Sequence, residues 1–209
     1  MAILRPLLPN TRQGQILRDW DCCYDLESKG AFLFETVYEK LLLTVFGKSG
    51  LGEVARFLWE ETGVFVDFYS NFDRVLLAEE SLWFGGQSRD EVYRSVLKQA
   101  LTIKARPWKA RQRVMVSYLP FQGKLPRAFQ LLRWNRSISL PGGRATIAQG
   151  QIYRSANRVT TFAPGYRFIA DMSTEAACSN MPGGPSESPF SKWYASDLQN
   201  WLEGRYKRL

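Results

Sequence analysis

The sequence contains no histidine among its 209 residues, and this absence excludes several kinds of catalytic site. Ser-His and Cys-His nucleophile pairs, histidine general bases and histidine zinc sites all need an imidazole ring. Any catalysis by this chain would therefore depend on carboxylates, on lysine, or on an amine that acts as its own base.

Cysteine is scarce as well, with three residues, of which Cys22 and Cys23 are neighbours in the chain. An odd number with two adjacent members is not a disulfide framework and lacks the spacing of a zinc site. We expect all three, including Cys178, to be buried or partly buried thiols, because free cysteine is most often buried.

Long hydrophobic runs are also missing. No window approaches the roughly twenty uninterrupted apolar residues that a membrane helix needs. The N-terminal MAILRPLLPN is broken by Arg5, Pro6 and Pro9, and no small-residue cleavage site follows it. We interpret this segment as mature sequence rather than a signal peptide, which leaves the compartment, cytoplasmic or periplasmic, open.

Acidic residues are absent from 92–170, a block that carries fifteen Lys or Arg, whereas residues 1–91 carry fifteen acids and nine bases. A block of one sign within a net charge of +8 is typical of a surface for an acidic protein or another polyanion. Aromatic residues interleave with these bases, so the alternatives are a module for nucleic acid or another polyanion and a non-catalytic interaction protein. No known nucleic-acid module accompanies the block, which makes nucleic acid the weaker alternative.

The pattern of the first half predicts helices. Apolar residues recur at three- and four-residue steps from Phe34 to Val45, with Gly47 as a stop signal, and a shorter helix is predicted around residues 54–58. Ser88 and Glu91 form a capping box that begins another helix. The stretch 64–77 fits a helix or a strand equally well.

The second half changes to an alternating pattern. RVMVSYL (113–119) predicts a strand, and residues 150–173 predict two or three more, with a turn at Pro164 and Gly165. A final helix stops at Gly204. We predict an α+β protein that is a single unit over 1–209, with a mainly helical segment (1–106) and a strand-rich segment with a terminal helix (107–209).

Three further motifs have ordinary structural explanations. The PGG sequences at 141–143 and 182–184 could cradle phosphate but lack a P-loop lysine, so we interpret them as turns. The acids of DWDCCYDLE lack the glycine and distal glutamate of a calcium loop and favour a helix N-terminus instead. The aromatic residues of the C-terminal segment indicate that this end packs onto something, with Trp193 and Trp201 as its two anchors.

Several segments together resemble the penicillin acylases. ILRDWDCCYDLESKGAFLFETVYEKLLLTVFG resembles a family segment that leads into a long helix, and QGQIYRSANRVTTFAPGYRFIADMS resembles a late strand pair. MPGGPSESPFSKWYASDLQNWLEGRYKRL resembles the terminal signature and is the most specific match, while LPGGRATIAQ fits more weakly. The matched positions, all interpreted as structural, are Trp20, Asp21, Arg167, Asp171, Pro182, Gly183, Gly184, Ser186, Pro189, Ser191, Trp201 and Gly204.

The resemblance covers nearly the whole chain but corresponds only to the C-terminal portion of the family's large chain. The sequence differs from the family pattern at Trp193, where histidine is usual, and at Glu187, where glycine is common. The residues that follow Trp108 also differ from the family pattern. The implied fold is that of the αββα N-terminal nucleophile hydrolases, in which a terminal Ser, Thr or Cys attacks the amide carbonyl with its own amine as base.

The resemblance implies the C-terminal segment of an amidohydrolase for linear acyl amides. The family's nucleophile, oxyanion-hole asparagine and calcium ligands lie upstream of the matched portion, so no catalytic, cofactor or metal residue is assigned to this chain. Because Met1 and Ala2 expose no hydroxyl or thiol, we expect the chain to need a catalytic partner chain. We also expect the acid-free block to face an acidic surface of that partner.

Overall fold

The computed structural model describes residues 1–47, 66–111, 113–116, 134–143, 146, 151–154, 159–163, 165–174 and 176–209. Within these ranges the protein is α+β, as the sequence predicted, with most helices in the first half and the strands in the second. The helices are α1 (Arg12–Arg18), α2 (Lys29–Phe46), α3 (Val66–Leu77), α4 (Arg89–Ala100) and α5 (Leu198–Leu202). The strands are β1 (Arg113–Val116), β2 (Arg136–Ser139), β3 (Gln151–Arg154), β4 (Val159–Phe162), β5 (Arg167–Asp171), β6 (Ala176–Asn180) and β7 (Lys207–Arg208).

Three helices begin at a hydroxyl residue that satisfies a free backbone N–H of the first turn. The side chains of Thr11 and Ser28 accept such bonds at the start of α1 and α2. At α4 the predicted capping box is confirmed, since the Glu91 N–H donates to Ser88 Oγ (3.3 Å) and the Ser88 N–H donates to Glu91 Oε2 (2.8 Å). These side-chain caps therefore define where the three helices begin.

The helical layer has one core formed mainly by α2 and α4. The predicted stripe of α2 is buried except for Phe34, which packs on the edge of the core. The stretch that the sequence left open is helical from Val66, and its Phe72 and Leu76 join this core. The buried side chains of the two main helices include Leu33, Val37, Leu41, Leu42, Val45, Val92, Val96 and Leu97.

An aromatic cluster connects the helical layer to the strand-rich half. The ring of Tyr24 packs edge-on against Trp20 and Trp108, at centroid distances of 5.5 and 5.2 Å. The Trp108 indole N–H donates to the carbonyl of Gly142 (2.8 Å), and the Gly142 N–H donates to the carbonyl of Tyr24 (2.8 Å). The first PGG sequence is thus a turn held by aromatic residues, and Gly142 adopts a φ of 84° that favours glycine.

The strands form two sheets. The four-stranded sheet has the order β2-β1-β4-β3, with antiparallel pairs except for the parallel pair β1–β4. The three-stranded sheet has the antiparallel order β5-β6-β7. Because β4 and β5 belong to different sheets, the segment that contains Gly165 joins the two sheets.

Two expectations about burial are wrong. Cys22 and Cys23 are exposed and only Cys178 is partly buried, because the segment between Trp20 and α2 lies on the surface. Trp201 is an anchor with 1% of its surface exposed, but the Trp193 side chain is 53% exposed and cannot anchor the C-terminal segment. The aromatic content of a segment does not reveal which of its rings face the core.

Some predictions lie outside the described residues: the helix around 54–58, the end of the first strand at 117–119, and Pro164. Among the helices that are described, none is long and apolar enough to cross a membrane.

Candidate functional site

The structure places the predicted signature residues in two regions. Trp20 and Asp21 lie just before α2, whereas the other ten lie on β5 or beyond it. Trp20 is buried, and its indole N–H donates to the carbonyl of Cys23 (2.9 Å). Asp21 is exposed and accepts the N–H of Cys23 (2.9 Å), and its negative charge raises the pKa of the Cys23 thiol. The contact between Asp21 and Cys23 stabilises a surface loop. The raised pKa favours the protonated form of the Cys23 thiol, which is less reactive than the thiolate.

The second region is centred on Arg167 and Trp201. The Arg167 guanidinium lies over the Trp201 ring, 4.7 Å from its centroid, and donates from Nη1 to the Trp201 carbonyl (2.9 Å). The Trp201 indole N–H donates to the carbonyl of Gly165 (3.1 Å). Arg167 on β5 therefore holds α5 against the three-stranded sheet through stacking and a hydrogen bond.

Asp171 closes the turn between β5 and β6. Its Oδ1 accepts bonds from the hydroxyl (2.6 Å) and the N–H (2.9 Å) of Ser173. These bonds stabilise the carboxylate and lower the pKa of Asp171. The residue has a structural role at an exposed turn.

The second PGG sequence packs directly against the segment before α5. The carbonyl of Gly183 accepts the N–H of Asp197 (2.8 Å). A Cβ on Gly184 would lie 1.8 Å from the carbonyl oxygen of Trp193, so only glycine fits there. A Cβ on the neighbouring Gly183 would lie 3.7 Å from the carbonyl oxygen of Tyr194, an ordinary contact distance, so this position tolerates a side chain.

The remaining signature residues shape the loop and the end of α5. Pro182 and Pro189 are partly buried. The hydroxyls of Ser186 and Ser191 each accept the backbone N–H two residues ahead, at 3.2 Å. Gly204 follows α5 with a φ of 67°, a conformation that favours glycine.

Sequence reasoning missed a buried polar network beside α5. Asp197 is 3% exposed, and its carboxylate is paired with the Lys207 ammonium of β7 at 2.6 Å. Asn180 on β6 is fully buried and donates from Nδ2 to the carbonyl of Arg205 (2.9 Å). The first contact joins β7 to the start of α5, and the second joins β6 to the segment before β7. No local pattern could have revealed them, because each joins different elements.

Beside this fastened region, β5 carries an exposed apolar surface that we call the β5 surface, formed by Tyr166, Phe168, Ile169 and Met172. Phe168 and Ile169 are 55% and 51% exposed, and as consecutive strand residues they face opposite sides of the sheet. In the described part of the chain, β5 is also an edge strand with β6 as its one partner. The β5 surface is thus uncovered on both faces.

The acid-free block is partly neutralised within the chain. The Lys109 ammonium pairs with Glu27, and the Arg111 guanidinium pairs with Glu39 (2.5 Å) on α2. Arg94 lies 3.9 Å from Asp90 one turn earlier on α4. Part of the positive charge therefore serves contact with the acidic first half rather than a separate polyanion.

Among the residues that the structure describes, no group of three or more His, Cys, Asp or Glu could hold a metal ion. The C-terminal elements hold β5 in place, and β5 exposes the β5 surface.

Residues 2–209 fit the sequence model of a family described as penicillin amidase. No curated protein matches the chain.

Proposed function

Because the chain belongs to the penicillin amidase family, we propose that it forms the C-terminal part of a hydrolase for linear acyl amides and docks through the β5 surface on the part that supplies the nucleophile. Family membership by itself supports an amidohydrolase-type function. The nucleophile, the partner chain and the docking mode are the proposed elements.

The observation that carries the proposal is the exposure of β5 on both faces. A sheet in a complete domain buries at least one face against another layer, and an unpaired edge is normally covered. Phe168 and Ile169 leave about half of each side chain in water on opposite faces. Burial of both needs a partner that covers each face of β5, and it would contribute about 25 cal/mol for each Å² of apolar surface removed from water.

The C-terminal network supports a structural role for the chain. Arg167 of β5 holds α5 through Trp201, and the Asp197–Lys207 pair joins β7 to the start of α5. In the described sheet β7 forms one edge, and β5 forms the opposite edge without a further strand partner. The internal pairing of Lys109 and Arg111 removes part of the charge that a nucleic-acid module would use. We therefore favour the hydrolase part over the polyanion-binding alternative.

Co-expression tests the proposal. The chain is produced with the nucleophile-bearing portion of a penicillin amidase, and hydrolysis of an acyl nitroanilide is followed together with co-purification. We expect hydrolysis only when both parts are present. Phe168→Ser and Ile169→Ser should weaken co-purification and activity together.

Leu82→Ser is the matched control, because Leu82 is 99% exposed but lies in the helical layer away from β5. It should leave assembly unchanged. Hydrolysis by the chain alone, or equal effects of the β5 and Leu82 variants, would contradict the proposal.

A further inference from the structure

In the described part of the chain, β5 has an open edge as well as exposed faces, because β6 pairs with it on one side and no strand on the other. The backbone groups of consecutive strand residues point alternately to the two sides, so about half of the N–H and C=O groups of β5 face the open edge. Such an edge is a template for a further strand unless it is very short, charged or covered.

The two edges of this sheet differ in what they offer a further strand. β7 is two residues long and both are basic, Lys207 and Arg208, so its length and charge disfavour pairing with a second copy. β5 has five residues, and the central three, Phe168, Ile169 and Ala170, are uncharged and exposed. The β5 edge is therefore the one that suits pairing.

The sequence of β5 is complementary to itself in the antiparallel direction, since Arg167 begins the strand and Asp171 ends it. If two copies pair around Ile169, Arg167 of one copy lies opposite Asp171 of the other. Opposite charges stabilise a cross-strand pair. Phe168 then lies opposite Ala170, which leaves room for the ring. A register shifted by two residues places one of the two charges opposite Ile169 instead.

The residues that flank β5 continue this pattern. In the same register Tyr166 of one copy lies opposite Met172 of the other, and a thioether beside an aromatic ring is a favourable contact. Both side chains are exposed in the single chain, Tyr166 by 56% and Met172 by 89%. The whole β5 surface therefore has a partner residue in a second copy.

The two charged groups can form this contact without loss of their contacts within the chain. Arg167 donates from Nη1 to the Trp201 carbonyl, which uses one of the five N–H donors of a guanidinium. Asp171 accepts the two bonds from Ser173 on Oδ1, and a carboxylate has about four acceptor sites.

We propose that two copies of this chain pair antiparallel through β5, about a two-fold axis at Ile169, and join their two three-stranded sheets into one sheet. A two-fold interface uses the same surface of both copies, and a self-complementary strand supplies such a surface. The dimer and the docked form proposed above share β5, so we expect them to exclude each other. The dimer concerns the chain alone and does not depend on the hydrolase function.

Sedimentation velocity of the full chain at increasing concentration tests the dimer. We expect the 24.0 kDa chain to convert to a species of twice that mass. Because one pair of edge strands buries little surface, we expect this conversion at micromolar rather than nanomolar concentration.

Two charge variants at the two-fold axis test the register. Ile169→Lys and Ile169→Asp each place like charges opposite one another, so either variant alone should dimerise about tenfold more weakly. A mixture of the two places an ammonium opposite a carboxylate and should dimerise about as strongly as the wild type. Leu82→Lys is the matched control, because Leu82 is 99% exposed in the helical layer and its replacement adds the same charge. It should leave the dimer unchanged.

A further pair of variants tests the charges at the strand ends. Asp171→Asn removes the charge opposite Arg167 and keeps an oxygen that accepts the Ser173 N–H. It should weaken the dimer about threefold to tenfold, because the two-fold axis repeats the lost pair. Glu79→Gln removes the same charge from an exposed position in the helical layer and should have no effect.

A chain that remains monomeric at every concentration would overturn the proposal, as would a dimer that the Ile169 variants do not weaken. Weakened single variants whose mixture does not recover would exclude the register around Ile169. Equal effects of Asp171→Asn and Glu79→Gln would exclude the cross-strand charge pair. Circular dichroism of every variant shows that the comparison is made between folded proteins.

Discussion

The Arg111 guanidinium forms an ion pair of 2.5 Å with Glu39 and at the same time donates from Nη1 to the Thr36 hydroxyl (2.7 Å). The Arg111 side chain is 8% exposed, and Glu39 lies on the middle of α2. One base from the acid-free block is therefore built into the surface of the helical layer. This contact changes the interpretation of the block, because part of its charge stabilises the fold.

Replacement of Arg111 should reduce stability. Arg111→Met removes a largely buried base and leaves Glu39 and Thr36 without it, so we expect the free energy of unfolding to fall by about 1–3 kcal/mol in urea denaturation. Arg94→Met is the control, since Arg94 is 62% exposed at 3.9 Å from Asp90 and should cost less than about 0.5 kcal/mol. Equal losses would show that Arg111 contributes only as a surface charge.

The second PGG sequence should distinguish its two glycines. Gly184→Ala forces a carbon into the Trp193 carbonyl, and we expect a loss of about 1–3 kcal/mol in thermal or urea unfolding. Gly183→Ala places its carbon 3.7 Å from the Tyr194 carbonyl oxygen and should be within about 0.5 kcal/mol of the wild type. If both variants behave alike, the close contact at Gly184 is not a determinant of stability.

The pair between Lys207 and the buried Asp197 should stabilise the C-terminal segment. Lys207→Met leaves the Asp197 carboxylate, 3% exposed, without its counter-ion, so we expect a loss of about 1–3 kcal/mol and faster cleavage by carboxypeptidase. Arg208→Met removes the same charge from an exposed position of the same strand. It should change neither measurement appreciably, and matching effects of the two variants would refute a specific role for the pair.

Stability should depend on Tyr93 in alkaline solution. Burial raises the pKa of Tyr93 from 10.0 to about 12, and its hydroxyl donates to the Leu76 carbonyl. The folded protein favours the neutral form of Tyr93. The contribution of this residue to the free energy of unfolding is therefore fully present below pH 10 and is lost as the pH rises toward 12.

Unfolding measured from about pH 9 to about pH 12 checks this dependence. Tyr93→Phe should be about 1 kcal/mol less stable at neutral pH, because the Leu76 carbonyl loses its donor, yet less sensitive to rising pH. An unchanged pH slope in the variant would mean that another group controls alkaline unfolding.

Local signals predicted much of the helical layer. The capping box at Ser88 and the apolar spacing of α2 involve residues within a few positions of one another, so they can be identified without knowledge of the partner elements. The stretch that forms α3 fits the residue period of a helix and that of a strand. The packing of its apolar side chains in the core favours the helix. Strands β2 and β6 were not predicted because RSIS and AACSN contain few of the β-branched and aromatic residues that mark strands.

The candidate site was only partly predictable. The family resemblance located Gly184, Arg167 and Trp201, and the structure gives each a defined contact. The Asp197–Lys207 pair and the exposure of Trp193 depend on how α5 and β7 meet the sheet, which spacing along the chain does not encode.

The bond between the Gly142 N–H and the Tyr24 carbonyl has a consequence for biosynthesis. The two residues are far apart in the chain, and the Trp108 indole N–H also depends on Gly142 for its acceptor. On the ribosome, the aromatic cluster can collapse early but cannot complete its hydrogen bonds until Gly142 has left the exit tunnel. Translation pauses before that point would therefore extend the lifetime of a partly formed nascent chain, which chaperones recognise.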